Sequence, residues 1–362
     1  MAMRLLALHA GYGCRHRGVC CTEPWAIPVD DVRRGRLVSA LSRGSLRPSH
    51  TTSAFFEAAE GIDADSNVVV GRTGRDCVFF EQDQGRLCAI HRDVGHDVLP
   101  VACQHFPRVV VVDPRGVTLS LSHVCPTAGE LLVADVNPWN RIVHHGRVVT
   151  EGMQWAGLDA RESLPPQVHA SLLWDWDSMT AFEEGALDVL GGMSPERALG
   201  AIADVANELA RHEGRELRPR VLDAFDRVRT AQPLVPDVLG LTALAEGCAR
   251  DGSLVDAAPG DVDLTATTAP WASVAAPVSR YLAARLIASA VPYHALDVRV
   301  WSGWLQAAYS VLRSAFARRV TAAGSSHAAL QAAAADADRL LVHRIHAARF
   351  ASSLLERSGL RC

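Results

Sequence analysis

Residues 103–126 read CQHFPRVVVVDPRGVTLSLSHVCP and contain the clearest structural signal in the chain. Two runs of β-branched and aliphatic residues, Arg108–Val112 and Val117–Leu121, flank the turn sequence DPRG. This pattern predicts a β-hairpin. Because Cys103 lies just before the first strand and Cys125 just after the second, the hairpin is expected to bring the two cysteines near each other.

Cysteine is concentrated at the start of the chain, where seven of the nine lie within the first 125 residues. The segment Met1–Ala10 has too short an apolar run for a secretory signal peptide, so a cytoplasmic, reducing environment is expected. In that environment a dense group of thiols indicates metal binding or catalysis rather than disulfides. Cys248 and Cys362 are expected to be incidental. The candidate metal ligands are Cys14, Cys20, Cys21, Cys77, Cys88, Cys103 and Cys125.

The cysteines occur in four short motifs that are expected to converge. Cys20 and Cys21 are adjacent, so they diverge in extended backbone and share one tetrahedral ion only if the chain turns sharply. Otherwise one binds metal while the other packs, or each faces a different metal atom. Cys77 and Cys88 flank a turn predicted at residues 83–85, which returns Cys88 toward Cys77.

Three histidines lie two or three residues from a cysteine: His91, His105 and His123. Each is a candidate ligand or a hydrogen-bonding partner of a ligand. For each taken alone, a surface or packing role is the favoured interpretation. His343 and His346 have the i, i+3 spacing that aligns two imidazoles on a helix. Without an acidic residue in the motif, a solvated helix face is the favoured interpretation.

The second part of the chain has a helical pattern rich in Ala, Leu and Arg. A cap, a first-turn proline and an acid, Ser194-Pro195-Glu196, begin one of these helices. We expect an α+β protein with a small cysteine-rich strand and loop metal-binding module (1–135), a connecting segment (136–163) and a mostly α-helical region (164–362). Periodic runs predict helices over 178–190, 197–212, 218–230, 235–250, 274–290, 298–320 and 326–356.

Charge and hydropathy exclude several classes of function. The formal net charge is −4, and all 36 basic residues are arginine. A chain without lysine has no Schiff-base or lysine-base chemistry of its own. The charge balance argues against a nucleic-acid partner, and no apolar run is long enough to predict a membrane span. The chain also lacks the glycine-rich nucleotide motifs, the HExxH zinc motif and the GxSxG nucleophile motif.

The order C-x5-CC, C-x10-C-A-I-H and C-x-x-F-P resembles the YkgJ-type cysteine-cluster family, described as zinc- or iron-chelating. Residues 20–30, 95–108 and 119–126 are most similar to the flagellin lysine-N-methylase branch of that family. The similarity covers about residues 12–135. Many family members open with C-x2-C-x2-CC, whereas Arg17 stands at the second position here. His16 beside it is able to replace a zinc ligand, and Arg17 is not.

The resemblance implies a protein that binds an iron–sulfur cluster or zinc. It also implies methyl transfer from S-adenosylmethionine to a lysine of a protein partner such as flagellin. The alternative from another class is a non-enzymatic, zinc-stabilised binding or scaffold module. A thiol redox sensor is a third and weaker alternative, because the chain has no C-x-x-C pair.

Overall fold

The computed structural model describes residues 2–49, 54–58, 68–82, 85, 87–145, 157–214, 216–238, 240–249, 264 and 267–357. Cys362 and the turn expected at 83–85, apart from residue 85, lie outside the described residues. The strands are β1 Met3–Leu6, β2 Phe56–Ala58, β3 Val68–Val70, β4 Arg72–Thr73, β5 Asp76–Cys77, β6 Phe80–Glu81, β7 Leu87–Cys88, β8 Arg108–Asp113, β9 Gly116–Leu121, β10 Ile142–His145, β11 Gly157–Asp159, β12 Gln167–His169 and β13 Leu172–Leu173.

Helices make up most of the second half of the chain, as its periodic pattern predicts. None in the described part of the chain is long and apolar enough to cross a lipid bilayer. The helices are α1 Ala7–Ala10, α2 Val19–Thr22, α3 Asp31–Ser42, α4 Ala89–Asp93, α5 Val101–His105, α6 Pro126–Val133, α7 Trp176–Gly192, α8 Pro195–Leu209, α9 Leu217–Thr230, α10 Leu241–Gly247, α11 Thr268–Ala272, α12 Ala275–Leu286, α13 Val291–His294, α14 Val298–Arg319, α15 Ser326–Leu341 and α16 Ala347–Arg357.

The predicted hairpin is confirmed and forms the centre of a five-stranded sheet. β8 pairs antiparallel with β9, with Arg108 opposite Leu121 and Val112 opposite Val117. The strand order is β10-β1-β9-β8-β11, in which β1 runs parallel to β9 and β11 runs parallel to β8. The fold is therefore mixed α+β. The segment 136–163, expected to be a connection, contributes β10 and β11 to this sheet.

Two predicted helices differ from the structure. The run over 235–250 contains only the short helix α10, and the run over 326–356 divides into α15 and α16. The division has a tertiary cause. Ile345 leaves the helical path to form a β-bridge with Ala249, and the backbone amide of His346 donates to the carbonyl of Cys248. These long-range backbone bonds leave no trace in the local periodicity of the sequence.

The apolar interior has one large part and smaller ones. The large part is formed mainly by the helices, and it includes Leu6, Leu8 and Leu132 from the first 135 residues. A separate apolar group lies among the cysteine motifs, with Leu37, Phe79 and Ile90 among its most buried side chains. The cysteine motifs thus have an apolar core of their own.

A buried carboxylate joins the end of the hairpin to the helices. Asp338 on α15 accepts from the backbone amide of His123 at 2.6 Å and approaches its Nδ1 at 2.9 Å. It also accepts from the hydroxyl of Tyr281 at 2.9 Å and pairs with Arg285 at 3.2 Å. Arg285 in turn donates to the carbonyl of Leu121 at 2.6 Å. Asp338, His123, Arg285 and Tyr281 are all buried.

A second buried ion network fixes the other end of the hairpin. Glu183 on α7 accepts from Arg4 of β1 at 2.7 Å and from Arg115 in the hairpin turn at 3.0 Å. Arg115 also pairs with Asp113 at 2.8 Å, and Asp113 accepts from the hydroxyl of Tyr293 at 2.7 Å. Both ends of the hairpin are therefore tied to helices by charged side chains removed from water.

The Asp338 network generates a test with a matched control on the same helix. We expect Asp338→Asn to lower the free energy of unfolding by about 3–5 kcal/mol, because it leaves the buried charge of Arg285 unpaired. Asp336→Asn removes a carboxylate whose ion pairs with Arg319 and Arg339 lie near the surface. That change is expected to lower the free energy by less than about 1 kcal/mol. Urea unfolding measures both, and equal effects would contradict this role of Asp338.

The same carboxylate sets an acid limit to stability. Burial by itself raises the pKa of Asp338, but attraction to Arg285 and the bond with His123 outweigh it and hold the pKa at about 2, against an ordinary value of 3.8. The folded protein therefore binds fewer protons at this site than the unfolded chain. This stabilisation is present above about pH 4 and is lost as the pH falls toward 2, and Asp338→Asn should flatten the stability profile in that range.

Candidate metal centre and adjoining cavities

The cysteine motifs meet at one cavity of about 210 Å³, named here the cysteine cavity. Its walls come from four separate parts of the chain: the loop before α2 with α2 itself, the strands β5 and β7, helix α5, and the start of α6. The side chains that line it include all seven cysteines identified from the sequence: Cys14, Cys20, Cys21, Cys77, Cys88, Cys103 and Cys125.

The sharp turn that two adjacent ligands require is present at Cys20 and Cys21. Gly18 has φ of 76°, a left-handed conformation that glycine adopts without strain, and the chain then enters the helical turn α2. The Sγ atoms of Cys20 and Cys21 lie 3.9 Å apart. Two thiolates on one tetrahedral zinc lie about 3.8 Å apart, given a Zn–S distance of about 2.3 Å. The pair therefore has a spacing that suits a shared metal atom.

Cys88 has an acidic thiol. It ends β7 and precedes the first residue of α4, where the backbone amides of His91 and Ile90 donate to its sulfur. A hydrogen bond with the thiol of Cys21 contributes most to lowering the pKa of Cys88, to about 7. The hydrogen bond between Cys20 and Cys21 likewise lowers the pKa of Cys20 and raises that of Cys21. Cys20 and Cys88 are thus favoured as thiolates over Cys21.

Two further thiols are held neutral by their surroundings. Burial raises the pKa of Cys77 to about 12 and raises that of Cys103 well above its usual value. Both thiols also interact electrostatically with Cys20 and Cys88, which places the four sulfurs in one neighbourhood. A bound cation would reverse this effect, because metal binding displaces the thiol protons.

Cys125 and Cys14 lie on the side of the cavity next to Tyr12. The hydroxyl of Tyr12 is 3.6 Å from the Sγ atom of Cys125, and Cys125 caps α6, which begins with Pro126. Cys14 is exposed, and its sulfur accepts from the backbone amide of His16 at 3.4 Å. Of these two, Cys125 is buried and Cys14 is open to solvent. Cys103 and Cys125, which the hairpin was expected to bring near each other, both line this cavity.

The thiols surround a space rather than a point. Within the described residues, no group of three or more His, Cys, Asp or Glu side chains is arranged closely enough to hold a metal ion as it stands. A single tetrahedral zinc needs four donors at about 2.0–2.3 Å. The seven thiols that line the cavity outnumber those four donors.

The candidate histidines have different environments. His91 is exposed at the rim of the cavity, with its ring centroid 6.0 Å from that of His16 and 5.7 Å from that of His96. His105 is buried beside the cavity described next. His123 is fully buried at Asp338, and its Nε2 has no hydrogen-bond partner among the described residues. Of the histidines singled out from the sequence, His16 and His91 line the cysteine cavity.

Arg17, which stands where the resemblance would place a cysteine, forms an ion pair instead. Arg15 and Arg17 both pair with Glu130 on α6, at 2.6 Å and 3.1 Å. These surface pairs connect the loop that bears Cys14 to the helix that follows Cys125. Cys248, one of the two cysteines expected to be incidental, is buried in the helical core near Ser353. It lies far along the chain from the cysteine motifs.

A second cavity of about 340 Å³ adjoins the cysteine cavity, and we name it the aromatic chamber. Trp25, Phe106 and His343 line it, together with Arg108 and Cys20. The sequence favoured a solvated helix face for His343; the residue is exposed in the structure but lies between α15 and α16 rather than on a helix. The ring of His343 lies 4.8 Å from that of Trp25, and its Nε2 is 2.8 Å from the hydroxyl of Ser122. Only the break between α15 and α16 places it there.

A third cavity, of about 600 Å³, continues from the aromatic chamber along β8 and the helices; we name it the large chamber. The two chambers share the wall residues Val109, Val110, Gly157 and Val342. Gly157 lets β11 approach β8 closely, since a Cβ atom there would lie 2.2 Å from the carbonyl oxygen of Val110. No local sequence signal marks either chamber, because their walls come from segments far apart in the chain.

Comparison with known proteins adds no assignment. No family model, curated protein or solved structure matches this chain. Function is therefore inferred from the geometry of the cavities and from the chemistry of their side chains.

The unequal acidity of the thiols gives a direct test on the metal-free protein. Because the thiolate is the nucleophile, the rate of Cys88 alkylation by iodoacetamide should rise with pH to a plateau, with a midpoint near pH 7. Cys77 should stay unmodified at neutral pH, since its pKa is about 12. Site-resolved peptide mass spectrometry measures both rates, with the buried Cys248 as an internal control. Modification of Cys77 as fast as Cys88 at pH 8 would refute the assignment.

Proposed function

We propose that this protein is a metalloprotein whose seven cysteine thiolates hold a polynuclear metal centre, with an iron–sulfur cluster favoured over zinc. The observation that carries the proposal is the convergence of all seven thiols on one cavity of about 210 Å³. Iron–sulfur clusters are held by cysteine thiolates, and their sulfide-bridged atoms occupy more space than one ion. Seven thiols also exceed the four donors of a structural zinc site.

The local chain supplies what such a centre requires. Cys88 offers a thiolate near neutral pH, the pKa of Cys20 is also lowered, and Cys21 lies within hydrogen-bonding range of both. The amides of His91 and Ile90 are positioned to donate to a negatively charged sulfur at Cys88. Apolar residues, among them Ile27 and Phe79, line part of the cavity wall. An iron–sulfur centre in this cavity would supply electron transfer or Lewis acidity.

Transfer of a methyl group from S-adenosylmethionine to a protein lysine, which the resemblance implies, stays a prediction. The chain has no lysine, so a methylation assay is free of self-modification. Anaerobically prepared protein is incubated with S-adenosylmethionine and a lysine-bearing partner such as flagellin. Mass spectrometry should then show the added mass of one methyl group on a partner lysine. A metal-loaded protein that adds none would favour the non-enzymatic scaffold function.

The metal proposal predicts which cysteine substitutions matter. Cys20→Ser and Cys88→Ser should each lower metal affinity by at least about tenfold, because loss of a ligand exceeds the 10–100-fold effect of losing an outer partner of a ligand. Cys248→Ser is the matched control and should leave the metal content unchanged, since Cys248 lies in the helical core. Metal analysis of anaerobically purified protein measures the content.

The absorption spectrum of the same preparations distinguishes the alternatives. A brown protein with thiolate-to-iron charge-transfer absorption would support the iron–sulfur centre. A colourless protein containing zinc would favour the zinc-stabilised scaffold. Full metal content in both Cys20→Ser and Cys88→Ser would overturn the proposed centre altogether.

A further inference from the structure

The aromatic chamber shares a wall with the cysteine cavity. A ligand in the chamber would therefore lie directly beside the thiols of Cys20 and Cys103. The volume of about 340 Å³ is within the range of small-molecule sites in proteins, about 300–1,000 Å³. The residues that line both cavities are Cys20, Ile27, Cys103, Phe106 and Arg108.

Flat rings form one side of this chamber. The ring centroid of Trp25 lies 5.2 Å from that of Phe106 and 4.8 Å from that of His343, while Phe106 and His343 are 6.4 Å apart. The surrounding protein lowers the pKa of His343, so its ring is neutral at physiological pH. Neutral rings of this kind offer favourable stacking contacts to an aromatic ligand.

The charge at the chamber is positive. Arg108 is half-buried, with its guanidinium 5.8 Å from the ring centroid of Tyr12, and within the described part of the chain no carboxylate forms an ion pair with it. None of the described residues that line the chamber is Asp or Glu. The chain as a whole has a net charge of −4, so this local excess of positive charge is not a general property of its surface. Arg108 is thus available to pair with an anion.

We propose that the aromatic chamber binds a small aromatic anion, whose ring lies against Trp25, Phe106 and His343 and whose carboxylate or equivalent group pairs with Arg108. That the anionic end lies beside a metal centre rests on the proposed function; the binding itself does not. A planar guanidinium suits a carboxylate because it donates two parallel hydrogen bonds.

The test uses two fluorescent probes that differ by one charge. 8-Anilinonaphthalene-1-sulfonate is an aromatic anion, and N-phenyl-1-naphthylamine has the same rings without the sulfonate. We expect one molecule of the anion to bind per chain, at least about tenfold more tightly than the neutral probe, because a charge-assisted hydrogen bond contributes that much. Equal affinity for the two probes would overturn the proposal.

Two arginine variants locate the binding charge. Arg108→Gln should abolish the preference for the anion and leave the affinity for the neutral probe unchanged. Arg349→Gln is the matched control, since Arg349 is exposed on α16 and lines none of the three cavities. It should keep the full preference. If Arg108→Gln also keeps the preference, the site is not the one proposed.

A third variant tests the chamber without altering charge. Ala26 is exposed and lines the chamber, so Ala26→Trp fills the space with little effect on the core. It should weaken binding of both probes, as judged in protein whose circular dichroism matches the parent. Unchanged binding in this variant would overturn the proposal even if Arg108→Gln failed to fold.

Measurements on chelator-treated and metal-loaded protein separate this inference from the proposed function. Arg108-dependent binding in a protein that takes up no metal would leave the chamber site standing and refute the metal centre. Metal uptake with no preference for the anionic probe would support the metal centre and refute the chamber site. Arg108→Gln should keep the metal content of the parent, since the thiols are unchanged.

Discussion

The buried carboxylate of Asp338 connects the parts of this structure that matter for function. It binds the backbone and ring of His123, two residues before Cys125, and pairs with Arg285, which binds the last residue of the hairpin. A charge removed from water is stable only with such partners, so the three groups must assemble together. The direction in which the chain leaves β9 and enters α6, and with it the position of Cys125, follows from this arrangement.

The cysteine cavity depends on short helical turns rather than on long elements. Cys20 and Cys21 lie in α2, Cys88 directly precedes α4, Cys103 lies in α5 and Cys125 directly precedes α6. At Cys88 the free amides of the first helical turn face the sulfur and favour its thiolate. Helical turns thus supply both the curvature that gathers the thiols and part of the electrostatic support for their charge.

The cavities have a common order along β8. The cysteine cavity lies at its start, the aromatic chamber follows beside Arg108, and the large chamber continues past Val110 toward α12 and α16. The three cavities thus lie side by side along one strand. Arg108 lines both the cysteine cavity and the aromatic chamber.

The sequence by itself determined the hairpin, most of the longer helices and the set of seven clustered thiols. Turn residues, periodicity and cysteine spacing are local, and local patterns act within a few residues. Tertiary structure decided the division of the last helical run at Ile345 and the position of His343 beside Trp25. Each depends on bonds or packing between segments far apart in the chain, such as the bridge between Ile345 and Ala249, and local periodicity contains no record of such contacts.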